Sequence, residues 1–229
     1  MNFNTDWNCK LHTQQDVKDI ANTLLWMREH HSISRVCFMV DFDATCASYS
    51  AFLIQKARFI NELSLHLPSS FKINYTAAVH LTPHVSKIAE LDRLTATANS
   101  LLPLSLPLGS YADWIDTELN HLLYRRRISP LFLSFELYPI LYPQDALERL
   151  LRIPNAAYEF NYKAFSNPAC VRMISSLLQR GAPVLLGTHC TLVEKLTLYD
   201  LDHFKELAKE TLDPTEYLLL TKHNKQLWK

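Results

Sequence analysis

The sequence predicts an α/β fold of about seven strand–helix units arranged as a parallel, TIM-like barrel in one domain over residues 1–229. Three observations predict it. Short apolar, β-branched or aromatic runs alternate with longer segments whose apolar residues recur every three or four positions, the signature of βα units. No segment is rich in Gly, Ser or Pro and no solenoid-length repeat is present, so nothing divides the chain. With 3 glycines in 229 residues, a phosphate-cradling Rossmann or P-loop turn is excluded, which favours a barrel over an open doubly wound sheet.

The elements follow in order. A first strand is expected around Trp7 to Leu11, and Thr13 caps a helix with Val17, Ile20, Ala21, Leu24 and Leu25 on one face. A strand over Val36 to Val40 leads to a helix opened near Ser48 or Ser50, with Leu53, Ala57 and Ile60 as its apolar stripe. Pro68 ends that helix before a strand over Phe71 to Val79, and Pro83 suits the first turn of a short helix bearing Val85, Ile88 and Ala89. The run at 101 to 109 is a strand interrupted by Pro103 and Pro107. Ile115, Leu119, Leu122 and Leu123 mark a helix that closes in Arg125, Arg126 and Arg127, a basic end suited to a helix C-terminus. Further strands are expected over Pro130 to Phe135, Ala157 to Asn161 and Pro183 to Leu186, with helices over Pro143 to Leu151 and Asn167 to Arg180. Gly181 stops the latter helix, Asp202 to Lys209 is helical, and Asp213-Pro214 caps a terminal helix.

Composition narrows the function classes. Lys+Arg and Asp+Glu each number 23, so no net charge draws the chain to nucleic acid or an anionic membrane, although a local patch can hide inside a zero total. No apolar run is long enough to span a bilayer and the first residues lack the order of a signal peptide, so a cytoplasmic protein is expected. Cys9, Cys37, Cys46, Cys170 and Cys190 are odd in number and contain no CxxC, which argues against a disulfide framework and a structural zinc site. A cysteine phosphatase needs an arginine six residues beyond its thiolate, and neither Cys46 nor Cys190 has one. No G-x-S-x-G is present for a serine nucleophile.

In a parallel barrel, chemistry sits at the C-terminal ends of the strands. His12, Asp41, Asp43, His80, His84, Ser134, Glu136, Asn161, Thr188, His189 and Cys190 fall there, a set enriched in metal-binding types. Tyr138, Tyr142, Tyr158 and Tyr162 with Phe135 and Phe160 suit a core, or the lining of a ligand pocket.

The order of segments resembles the PHP (polymerase and histidinol phosphatase) superfamily of metal-dependent phosphoesterases, and most of all its bacterial capsule-type tyrosine phosphatases and histidinol phosphatases. The stretch 157–191 looks like the segment in which an E-I-N strand leads through a helix to a strand ending L-G-S-D-A-H, with Glu159, Phe160 and Asn161 standing for the first motif. ISPLFLSFELY at 128–138 is similar to the strand ending A-H-x-E-R-Y, and INYTAAVHLTPHV at 73–85 to the one reading Y-G-x-E then T-P-x-V. CKLHT at 9–13 sits where D-x-H-x-H is expected. The resemblance spans nearly the whole chain and implies a distorted (β/α)7 barrel.

It also implies a three-metal hydrolytic site, and the motifs depart from that. Lys10 stands at the Asp position and Gln14 at a His position, Ala78 replaces a Glu, Ser134 replaces a His, and His189 and Thr191 fall at the final Asp and His. An ammonium group repels a cation. The second-strand ligand corresponds to Asp41 or Asp43. The resemblance therefore implies a divergent barrel that has lost the trinuclear phosphoesterase site and acts as a ligand-binding or regulatory protein, or by altered chemistry. Its mouth takes a small phosphorylated or anionic ligand, with Lys10, His80, Asn161 and Cys190 as candidate contacts. The alternative is an active phosphoesterase on phosphotyrosine or a small phosphomonoester. In that case His12, Asp41, Asp43, Glu136 and His189 hold one zinc, manganese or iron ion.

Overall fold

The computed structural model of the protein describes residues 9–10, 17–31, 34–43, 48–96, 101–187 and 201–226. Among the described residues seven strands form one sheet in the order of the chain, and every neighbouring pair is parallel. They are β1 (Cys9–Lys10), β2 (Arg35–Phe42), β3 (Lys72–His80), β4 (Leu101–Ser105), β5 (Ser129–Phe132), β6 (Ala157–Asn161) and β7 (Val184–Gly187). The helices are α1 (Val17–His31), α2 (Tyr49–Ser64), α3 (Asp113–Asn120), α4 (Tyr138–Leu141), α5 (Gln144–Leu151), α6 (Pro168–Gln179), α7 (Leu201–Thr211) and α8 (Pro214–Gln226). This is an α/β fold whose parallel sheet curls as a half-barrel, in keeping with the twist of its strands. No helix among the described residues is long and apolar enough to cross a membrane.

Strand side chains alternate, so each strand feeds two cores. Val36, Phe38, Val40 and Phe42 of β2, Tyr75, Ala77 and Val79 of β3, and Tyr158 and Phe160 of β6 join the helices in one large outer core. The residues between them, Cys37, Met39, Ala78, Leu101, Leu131, Leu133, Ala157 and Leu185, make a second, smaller core on the opposite face. The aromatic set 135–162 belongs to the outer core, where the Phe135 ring lies 4.9 Å from that of Tyr158 and 5.8 Å from those of Phe132, Tyr138 and Phe160.

Three local expectations are corrected. In α2 the buried residues are Phe52 and Leu63, while Leu53 is 40% exposed. Aromatic contacts decide that rotation, because Phe52 meets the rings of Phe42 and Tyr75 and Phe59 meets Phe38. After β3 the chain makes two 3-10 turns, Val85–Lys87 and Leu91–Leu94, in place of an α-helix. His84 precedes the first in the left-handed region at φ 70°, and the buried carboxylate of Glu118 accepts the Ser86 N–H at 3.0 Å. The β5 strand ends at Phe132 because Ser134 turns left-handed at φ 51° and starts a 3-10 turn at Phe135.

At the far edge, residues 183 and 185 of β7 face Tyr158, so the N–H groups of Val184 and Leu186 point away from β6. Side chains of α8 accept both, His223 Nδ1 from Val184 at 3.4 Å and Asn224 Oδ1 from Leu186 at 2.9 Å. Asn224 Nδ2 then donates to Leu220 O of its own helix. The start of α8 is fixed by Asp213, whose carboxylate accepts the N–H groups of Thr215 and Glu216, as the Asp-Pro pair predicts.

Candidate functional site

Along the inner face the residues become polar toward the strand exits. β2 runs Cys37, Met39, Asp41, β3 runs Ala78 then His80, and β6 runs Ala157, Glu159, Asn161. The register that pairs Asp41 with Ala78 sets His80 two residues further along the same face. His80 Nε2 and Asp41 Oδ1 are 3.5 Å apart, with side chains 42% and 47% exposed. At that separation and exposure the contact contributes about 1 kcal/mol or less, so it orients the imidazole without adding much to stability. Asp43 lies just past β2, half-buried.

Glu136 reaches the site from the 3-10 turn that follows left-handed Ser134. Its Oε2 accepts the Asn161 N–H at 3.1 Å, which fastens the end of β6 to the exit of β5. The Asn161 side-chain oxygen accepts the Lys163 N–H at 2.9 Å and caps the turn Tyr162–Ser166. Glu159 is 2% exposed on the inner face, one pleat below Asn161. The E-F-N match contained this residue, yet its place as a carboxylate inside the sheet's concavity is visible only once strand parity is known. An acid in the middle of the apolar run AYEFN is the signal that points to it.

The loop after β4 forms part of the rim and is held by two tyrosines. Tyr138 Oη accepts the Leu106 N–H at 3.0 Å, and Tyr142 donates to Pro107 O at 2.6 Å. Burial raises the Tyr138 pKa strongly and pushes that of Tyr142 up to about 12, so both stay protonated. Each therefore serves as a fixed hydrogen-bonding post.

Lys10 of β1 pairs in register with Met39 of β2. His12, Gln14, Thr188, His189, Cys190 and Thr191 lie outside the described residues. The structure thus brings together Asp41 with His80 and Glu136 with Asn161. Among the described residues no three His, Cys, Asp or Glu side chains come close enough to hold a metal ion. Among the described residues, Asp41 and His80 are the two donors brought together there, and zinc, manganese or iron takes three or four.

Neither protein-family models nor curated protein sequences match this chain. Solved structures do. A structure from the metal-dependent tyrosine phosphatases YwqE of Bacillus subtilis and CpsB of Streptococcus pneumoniae matches with a TM-score of 0.68 and 11% identity, over 98% of this chain and 94% of that one. Histidinol phosphate phosphatase (HisK) from Lactococcus lactis subsp. lactis Il1403, complexed with zinc, L-histidinol and phosphate, matches with a TM-score of 0.56 and 16% identity, over 90% and 93%. A tyrosine phosphatase and a histidinol phosphatase are the two kinds of protein that the motif order resembles, and this chain shares their fold.

Proposed function

We propose that this chain is a phosphoesterase-like PHP barrel whose seven βα units close as one domain over residues 1–229. Its strand-exit mouth binds a small phosphorylated or anionic ligand without the trinuclear metal set. The observation that carries this reading is how the acids at the mouth are used. Asp41 is turned to His80 and Glu136 to the Asn161 amide, so carboxylates suited to a cation serve the protein's own groups. The residues at the resembled ligand positions support it, since Lys10, Gln14, Ala78, Ser134 and Thr191 offer no set of metal donors. An ammonium at position 10, with His80, Asn161 and Cys190, supplies the chemistry of an anion site instead.

The test is metal content by mass spectrometry of protein purified without chelator and offered Mn, Zn and Fe, beside hydrolysis of p-nitrophenyl phosphate and phosphotyrosine. The expected result is no tightly held ion, no hydrolysis above the blank, and phosphate binding that weakens in Lys10→Gln. Two or more ions per chain, with hydrolysis abolished in His12→Ala or His189→Ala, would overturn it. A second reading, a one-metal phosphoesterase, is favoured by the half-exposed Asp41–His80 pair. His12, Asp43, Glu136 and His189 are its further candidate donors. One ion per chain, lost together with activity in Asp41→Asn and His80→Gln, selects that reading.

A further inference from the structure

The strand-entry end of the sheet, opposite the mouth, gathers cations. Arg35 and Lys72 open β2 and β3 and are direct register partners, a side-by-side placement of like charges that destabilises a sheet unless something offsets it. Arg125 and Arg127 precede β5, Arg152 precedes β6 and Arg180 precedes β7. Among the described residues Arg35, Lys72, Arg125, Arg127 and Arg180 make no ion pair. Arg152 lies 3.5 Å from Glu148 with its side chain 76% exposed. Against these bases stand Glu29 and Glu62 near the ends of α1 and α2. The C-terminal dipoles of α5 and α6 also oppose them, and those are offset by their own capping arginines, Arg152 and Arg180.

A cleft of about 810 Å³ opens here between the entries of β6 and β7. Its size falls in the range of roughly 300–1,000 Å³ typical of small-molecule sites. Its charged lining residues are Arg152 and Arg180, no carboxylate lines it, and Ile153, Pro154, Pro183 and Leu101 form apolar wall. The loops on its two sides turn through left-handed residues, Asn155 at φ 58° and Gly181 at φ 74°. Such turns give short loops a fixed shape, so the cleft is preformed.

We propose that this cleft binds a small organic polyanion carrying two or more phosphate or carboxylate groups. The two guanidinium groups offer planar, paired donors to its anionic oxygens. Arg35, Lys72, Arg125 and Arg127 raise its local concentration, and the apolar walls exclude water from the contact. A zero net charge conceals this field because acids elsewhere in the chain, Asp41, Asp43 and Glu136 at the strand exits among them, balance it in the total. The site is separate from the mouth, since the strands keep the two ends about 13–16 Å apart.

The experiment is calorimetric titration of the full chain with inorganic tripolyphosphate and, separately, citrate, followed by amide chemical-shift mapping. One site marked by shifts at Asn155 and Gly181 is expected, separate from anion binding at the mouth, with affinity that falls as salt rises. Arg180→Gln weakens binding about tenfold and Arg152→Gln with Arg180→Gln weakens it further. Lys209→Gln leaves it unchanged, and His80→Gln leaves the shifts at Asn155 and Gly181 in place. The preferred probe distinguishes a phosphate from a carboxylate ligand. The proposal is overturned if neither probe binds, if His80→Gln removes the shifts at Asn155 and Gly181, if Lys209→Gln weakens binding there as much as Arg180→Gln, or if shifts fall only elsewhere. The shift map decides the matter even where an arginine variant fails to fold.

Discussion

On the outer side of β2, β3 and β6 stand Phe38, Tyr75, Tyr158 and Phe160, each buried among helices, while the inner side of the same strands carries Cys37, Met39, Ala78, Ala157 and Glu159. The outer side is free to use large rings because helices can be set at whatever distance those rings require. The concave side has no such freedom, and residues without rings, from alanine to leucine and methionine, fill it until Asp41, His80 and Asn161 appear at the exits. Strand parity therefore separates two tasks. One set of alternate residues supplies most of the stability, and the other supplies a narrow, increasingly polar interior that ends in a site.

The largest effect that sharpens this contrast is expected on the outer side. Phe135→Ala, which empties a fully buried position among four other rings, should cost about 3–5 kcal/mol in urea denaturation. A loss below 1 kcal/mol would break the claim that the aromatic layer dominates. On the inner side, enlargement should hurt more than it would on a roomy face. Ala157→Leu should cost about 1–3 kcal/mol by overpacking and shift the amide resonances of Asp41 and His80. A neutral result would mean that the concavity has spare volume.

Glu118→Ala should cost about 1–2 kcal/mol by leaving the Ser86 N–H buried without its acceptor. Burial alone would raise the Glu118 pKa, but hydrogen bonds from Ser86 and His84, with His121 nearby, hold it below 4.5. Its contribution is therefore complete above that value and lost as pH falls through the lower folded pKa. Melting temperatures followed downward from pH 5 should drop more steeply in the parent than in Glu118→Ala. The smallest effect belongs to His223, whose pKa is lowered by burial and by Lys222. Its contribution is present above 6.5 and declines as pH falls through its depressed value, since a protonated Nδ1 cannot accept from Val184. The protection factor of the Val184 amide should fall on acidification in the parent and stay flat in His223→Gln.

Much of this fold was legible because alternation and helical spacing are local properties. Ala157 to Asn161 appears as a strand with the bounds read from the sequence, and Gly181 ends α6 as expected. The failures share one cause. Nothing within α2 shows that Phe52 will meet Phe42 and Tyr75, nor within 130–135 that Ser134 will turn left-handed. The mouth was legible as a set of residue types and not as a set of contacts. His80 and Asp41 meet through strand register, and Glu136 meets Asn161 across a separation that no periodicity encodes.

The grip of α8 on the β7 edge has a further meaning for the protein's behaviour in a crowded solution. Unpaired strand amides recruit strands from other molecules, and edge protection is one of the ways β-proteins avoid aggregation. Here two adjacent side chains, His223 and Asn224, occupy the amides that a foreign strand would need. The last helix thus works as a stopper. Proteolytic clipping ahead of Pro214 would uncover a ready-made template, so the colloidal stability of the whole molecule hangs on its final few turns.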